Sequence, residues 1–462
     1  MKCVILFCTI AAVVAVAQVR LPSFTRKTLP NGVVLQLMER RDVPMATLSV
    51  AVRGGAEADP PEKAGLASVT ADALRRGTKS RSAGEFSEQL DFIGASWSAS
   101  VDEQAARITT ECLSKDLDRA LELLADAVLN PVFPEDEIKK LLEQRIDGVK
   151  ALKDDPRTLP SRYFREFFYP AGHPYRRQRG GDELTLARIG REDLVRFHRE
   201  RYVGRNLIVT VVGDIDAEKL AGRLEEIFGA APAGERYGWA SDVPPLGHSE
   251  PRLLLVDKPG ATQSYFVIGR PGIHRTHPDR IPLILVNTLF GGRFTSLLND
   301  ELRVNRGLTY GAYSRLEQHR LPGALAIVSY TGTATTKEAI DVALEVLKRF
   351  HERGVTEEQL ASAKAYVKGR FPTQKLETSG QLASILTALE IFGLDASEID
   401  EYFQRIDQVT VEKANAVVRK YYRPENLQFV VVGDAAKIRE QLRGYAKSWK
   451  ETEASRPGFR AD

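Results

Sequence analysis

The feature that most constrains the fold is an internal repeat. The stretch ARIGREDLVRFHRERYVGRNLIVTVVGDID returns later as DQVTVEKANAVVRKYYRPENLQFVVVGDAA. Asn206 falls on Asn426, Gly213 on Gly433 and Asp214 on Asp434, a constant separation of 220 residues (426 − 206), and Tyr202 and Tyr422 keep the same register. Self-similarity over about thirty residues means that the chain is built from two copies of one unit. Each copy reads as a helix, a turn containing Asn and a β-branched run ending in Gly-Asp. LIVTVVG and LQFVVVG are therefore expected to be buried strands.

Between the copies lies GAAPAGERYGWASDVPPLGHSEPR, whose Pro, Gly and Ser content breaks any long helix or strand. Residues 230–251 read as a linker, which leaves halves at 22–229 and 252–446. Each half opens with strands, GVVLQLMER and ATLSVAVRGG in the first, RLLLVDK and SYFVIGRPG in the second. Amphipathic helices follow, such as LSKDLDRALELLADAVLN, with Leu117, Leu121, Leu124 and Val128 on one face. Strands and helices in blocks, rather than in strict alternation, predict α+β domains. The polar tail, 447–462, is expected to be flexible.

The chain has 462 residues, 43% hydrophobic and 27% charged, as in an ordinary soluble globular protein of two or three domains. Lys and Arg total 65 against 62 for Asp and Glu, a net charge of +3 that gives no reason to expect nucleic acid or an anionic membrane as partner. Residues 1–17, MKCVILFCTIAAVVAVA, have one Lys, an apolar run and small residues at Ala15 and Ala17, the pattern of a secretory signal. A membrane anchor is the competing reading, but the run from Cys3 to Val16 falls short of the roughly 20 residues that span a bilayer. The expectation is export without stable membrane insertion, to the periplasm if the source is a Gram-negative bacterium. Removing the leader leaves Cys112 alone, so no intrachain disulfide and no thiolate zinc site can form. ARITTECLSKD alternates like a strand, and Cys112 is read as a small buried residue.

Several motifs then occur in order: LPNGVVLQLMERRDVP leading to VRGGAEADPPEKAGLA, later HPYRR, and VTVVGD closing the first half. Together with the repeat they resemble the M16 family of metallopeptidases, of the insulinase and mitochondrial processing peptidase type, over nearly the whole chain after the leader. The resemblance implies two homologous α/β-sandwich domains, each a mainly antiparallel sheet with helices against it. It also implies that the helix after GLA should carry His-x-x-Glu-His. That pattern sets two imidazoles four apart on one helical face to bind zinc, with a Glu as base on the bound water. In GLASVTADALRRGT those positions are Ser68, Ala71 and Asp72. The family's remaining ligand, a Glu ahead of an acidic-Pro segment, falls on Gly148 when KDDP is aligned, with Asp147 the only acid close by. No metal and no cofactor are expected in this chain. His274 and His277 form a lone loop pair, His173 reads as part of a structural turn, and no G-x-S-x-G elbow is evident.

The second half keeps what the first half lacks. LVNTLFGGRFTSLLNDELRVNRGLTYGAYSRLE resembles the family segment in which an Arg, and a Tyr seven residues later, bind substrate and stabilise the transition state opposite the zinc. Here they are Arg303 and Tyr310. A guanidinium and a phenol aimed at one carbonyl are donors suited to a developing oxyanion. The competing reading pairs Arg303 with Glu301 and packs Tyr310 on the sheet; Gly291 and Gly292 read as the turn that starts the helix. The resemblance further implies a heterodimer. A second chain bearing His-x-x-Glu-His would hold zinc, and this chain, not a peptidase alone, would complete its site for peptide substrates. The alternative is a catalytically inert structural or peptide-binding protein of the same fold.

Overall fold

The structure, a computed structural model, describes residues 19–461. The expected leader lies outside them. Six strands of the first half form one sheet: β1 (Thr25–Thr28), β2 (Val34–Glu39), β3 (Met45–Arg53), β4 (Ser98–Val101), β5 (Ala105–Leu113) and β6 (Leu207–Gly213), in the order β1-β2-β6-β3-β5-β4. The second sheet has β7 (Arg252–Asp257), β8 (Gln263–Pro271), β9 (Ala312–Gln318), β10 (Pro322–Gly332), β11 (Gln428–Gly433) and β12 (Ser448–Glu453), in the order β12-β7-β11-β8-β10-β9. The repeated β-branched runs are β6 and β11, each third in its sheet and buried along its whole length. Pairing is antiparallel except for β2 with β6, β7 with β11, and β12 with β7. The architecture is thus two mixed, mainly antiparallel sheets with helices packed around them.

A strand apolar on both sides needs cover on both faces, and the two halves supply it to each other. Leu117–Leu129 lies against β3 and β5, while Thr336–Arg353 lies against β10. On the opposite faces the halves exchange helices: Leu159–Phe168 packs on β8 and β11, and Ser379–Phe392 on β3 and β6. Gly269 leaves room for the Phe164 ring, since a Cβ there would lie 2.3 Å from it. Across the other contact Gln36 Nε2 donates to Leu386 O at 3.1 Å. The turn between β9 and β10 also docks on the first half: Arg320 donates to buried Glu57 at 2.9 Å, and the Leu321 N–H to the Tyr175 hydroxyl at 3.1 Å. Beside it, burial works to raise the Glu103 carboxyl, but Arg165 foremost, with Arg179, holds it down at about 2. Both arginines lie 2.6 Å from it.

The tail differs from the sequence expectation. Ser448–Glu453 forms β12, parallel to β7, and the chain then buries Ala454, Phe459 and Ala461. Phe459 meets Tyr163 edge-on at 5.5 Å, beneath Lys153 and Arg162, and the Gly458 N–H donates to Glu183 at 2.8 Å. The reason lies in the sheet edge. The linker before β7 contains neither helix nor strand, so the outer place that β1 fills in the first sheet would leave β7 with unpaired backbone groups. The tail fills it, and its polar residues are largely the exposed side of an edge strand.

Candidate functional site

The helix that holds Ser68, Ala71 and Asp72 runs over Leu66–Ala73. Leu66, Val69 and Ala73 are buried. Asp59 caps the helix from upstream, accepting from the N–H groups of Gly65 and Ala67, each at 2.7 Å. Its burial pushes the carboxyl up to about 7 despite those two donors.

Ser68 and Asp72 share the helix's open face, while Ala71 is buried. Facing them is a residue that the sequence did not single out. Arg145, on the helix Glu135–Leu152, donates to Ser68 Oγ at 3.1 Å, to the Ser68 carbonyl at 3.3 Å, and to the Asp72 carboxylate. Gly148, one turn further along, is exposed and offers no side chain; Asp147 pairs with Lys150 at 3.0 Å. Zinc calls for three or four imidazole, thiolate or carboxylate donors. One hydroxyl and one carboxylate, both held by a guanidinium, do not make such a set, and the positive charge of Arg145 opposes a divalent ion. The zinc implied by the resemblance therefore does not fit these residues.

Other candidate ligands are scattered. Among the described residues no group of three or more His, Cys, Asp or Glu is arranged to hold a metal. His274 and His277 meet ring to ring at 5.2 Å. His173 is buried and accepts from the Tyr175 N–H at 3.1 Å in a turn, and burial lowers its imidazole to about 4. Cys112 is buried in β5.

The second motif is built differently. Thr288–Gly292 and Asp300–Asn305 are both π-helical, a wider winding often found at functional sites. Gly291 is needed for close approach rather than for a turn: a Cβ there would lie 2.4 Å from the Ser314 nitrogen in β9. Arg303 lies in the last turn of the second π segment, Gly307 turns the chain at φ +63°, and Tyr310 follows in the loop, two residues before β9.

The Arg303–Glu301 pair of the competing reading is not made. Glu301 instead accepts from Asn305 and Arg306, at 3.1 and 3.2 Å, with Arg349 at 3.5 Å. Among the described residues Arg303 has no carboxylate partner; its guanidinium lies over the Phe294 ring, 4.6 Å from the centroid. Nor is Tyr310 packed on the sheet, being 79% exposed, with Phe294 at 66%. Arg303 and Tyr310 both line an open hollow of ≈ 460 Å³, with Gln263, Tyr330 and Thr331. The structure thus brings together the two residues that the sequence paired and leaves their donors free. It adds Phe294, whose only sequence signal was its place beside the two glycines.

Comparison with known proteins accords with this geometry. A family profile described as Insulinase (Peptidase family M16) matches residues 36–167, and one described as Peptidase M16 inactive domain matches residues 188–367. An uncharacterized zinc protease of Mycobacterium tuberculosis is 27% identical over 400 residues, 85% of this chain and 90% of that protein. The non-peptidase homolog YmxG of Helicobacter pylori is 22% identical over 400 residues, 86% of this chain and 91% of its own length. Among solved structures, a peptidase M16 inactive domain from Pseudomonas fluorescens superposes with a TM-score of 0.82 at 23% identity, covering 89% of this chain and 98% of that one. A protease from Helicobacter pylori gives 0.80 at 21% identity, covering 89% and 100%. With two α/β halves in family order, each matched by an M16 profile, the chain belongs to the M16 peptidase family.

Proposed function

We propose that this chain is the zinc-free subunit of an exported, heterodimeric M16 peptidase, supplying Arg303 and Tyr310 to a site whose zinc is held by a partner chain with His-x-x-Glu-His. The observation that carries the reading is the contrast between the two motifs. Arg145 holds Ser68 and Asp72 of the first, whereas among the described residues the guanidinium and phenol of the second have no carboxylate partner and stand at one open hollow. A purely structural subunit gains nothing from an arginine without a carboxylate partner and an exposed tyrosine beside it.

In this role the chain's residues bind and orient. Arg303, held by Phe294, presents N–H donors to a peptide carbonyl, and Tyr310 adds a hydroxyl donor from the far side of the Gly307 turn. Donors already in place when charge develops on that oxygen lower the barrier without reorganising. The zinc and its activated water belong to the partner. The test is metal analysis and peptide turnover on the purified chain: neither stoichiometric zinc nor peptidase activity is expected. Full hydrolysis by the isolated chain would overturn the proposal, while a partner whose peptidase activity is the same with and without this chain would favour an inert M16-fold protein.

A further inference from the structure

A second, larger hollow lies between the helices Arg280–Asn287, Glu357–Lys375 and Ser379–Phe392, with a volume of ≈ 820 Å³. That is within the roughly 300 to 1,000 Å³ typical of ligand sites. Its charge is lopsided. Arg275, Arg280, Arg370 and Lys375 line it against one carboxylate, Glu398, which is already engaged by Arg275 at 2.8 Å and Arg280 at 2.6 Å. Arg370 and Lys375 are exposed, and among the described residues neither has a carboxylate partner. Beside them on the same helix Val367 and Phe371, and on the neighbouring helix Ile385, are only partly covered. Cations next to apolar side chains suit a chain segment that carries carboxylates between aliphatic side chains.

The hollow is near the Arg303 site. Gly292 is in its wall, Arg293 lies over the wall residue Tyr366 at 5.8 Å, and Phe294 lies under Arg303 at 4.6 Å. With ~3.8 Å between successive Cα atoms, these links keep the Arg303 guanidinium within roughly 15 to 20 Å of Gly292, the nearer wall of the hollow.

We infer that this hollow is a subsite for acidic segments of bound peptides, with Arg370 and Lys375 receiving carboxylates of a peptide whose backbone is held at Arg303 and Tyr310. The inference rests on the peptide-binding reading above and adds a substrate class to it. The experiment is fluorescence anisotropy on the purified full chain, with two fluorescein-labelled peptides about ten residues long, roughly 33 Å when extended. One alternates leucine with glutamate and the other leucine with lysine.

The glutamate peptide is expected to bind about tenfold tighter at low salt, a preference that added salt erodes. Arg370→Glu with Lys375→Glu should abolish or reverse that preference, and unchanged circular dichroism and melting would show that the variant is folded. Arg303→Ala should weaken both peptides and leave their ratio unchanged. Equal binding of the two peptides, or a preference untouched by the charge reversal, overturns the acidic subsite and leaves peptide binding standing. Failure of both peptides to bind overturns both.

Discussion

Replacing Arg145 by Met tests whether the changed zinc motif has become a structural ion pair. Met keeps an apolar stem of similar reach and deletes the guanidinium that donates to Ser68 Oγ, the Ser68 carbonyl and Asp72. The pair is partly open, with side-chain exposures of 20% for Arg145 and 36% for Asp72. Its value therefore lies between the ~0 to 1 kcal/mol of an exposed pair and the ~3 to 5 kcal/mol lost when a buried pair is broken. Water still reaches Asp72 in the variant, so a loss of about 1 to 2 kcal/mol is expected. For a unit of roughly 200 residues this lowers Tm by about 2 to 6 °C. The assay is a thermal and urea double-mutant cycle with Asp72→Ala, where a coupling of about 1 kcal/mol is predicted. Strict additivity of the two substitutions, or a rise in wild-type Tm on adding zinc, would refute the reasoning.

Asp59→Asn should change how stability depends on pH. A carboxyl raised from 3.8 to about 7 on folding stabilises fully below 3.8 and loses that contribution as pH rises through about 7. The Asn variant should therefore gain on the wild type by a few kcal/mol between pH 4 and 7.5, read as the difference of two urea titrations; a gap independent of pH contradicts the assignment. Phe459→Ala, which empties the contact with Tyr163, Lys153 and Arg162, should cost about 3 to 5 kcal/mol and expose the tail to protease. Retention of wild-type stability and protease resistance would mean that the tail's docking contributes nothing.

Much of the fold was legible because the repeat fixes it: runs 220 residues apart became β6 and β11 in matching places. The tail was misread because an edge strand buries little; Ser448–Glu453 is polar apart from Trp449, and Phe459 is the one aromatic after it, so the vacancy beside β7 is what explains its order. The pairing of Arg303 and Tyr310 came from the family resemblance, and the structure sets both at one hollow. The competing Glu301–Arg303 pair fails for a geometric reason: residues two apart on a helix face away from each other, whereas π winding brings Arg306, five along, onto Glu301. Arg145 was invisible because it lies 77 residues from Ser68, and no local pattern shows that two helices will cross there.

The central claim is that this chain lends Arg303 and Tyr310 to a zinc site held by another subunit. The most direct measurement is peptide turnover by the complex of this chain with a companion bearing His-x-x-Glu-His from the same source, with wild-type, Arg303→Ala and Tyr310→Phe chains, alongside the dissociation constant of each complex. The account predicts that turnover falls by about 100-fold or more for Arg303→Ala, in the range seen when an oxyanion donor is removed, and by a smaller factor for Tyr310→Phe, with subunit association unchanged. Undiminished turnover in both variants would contradict it.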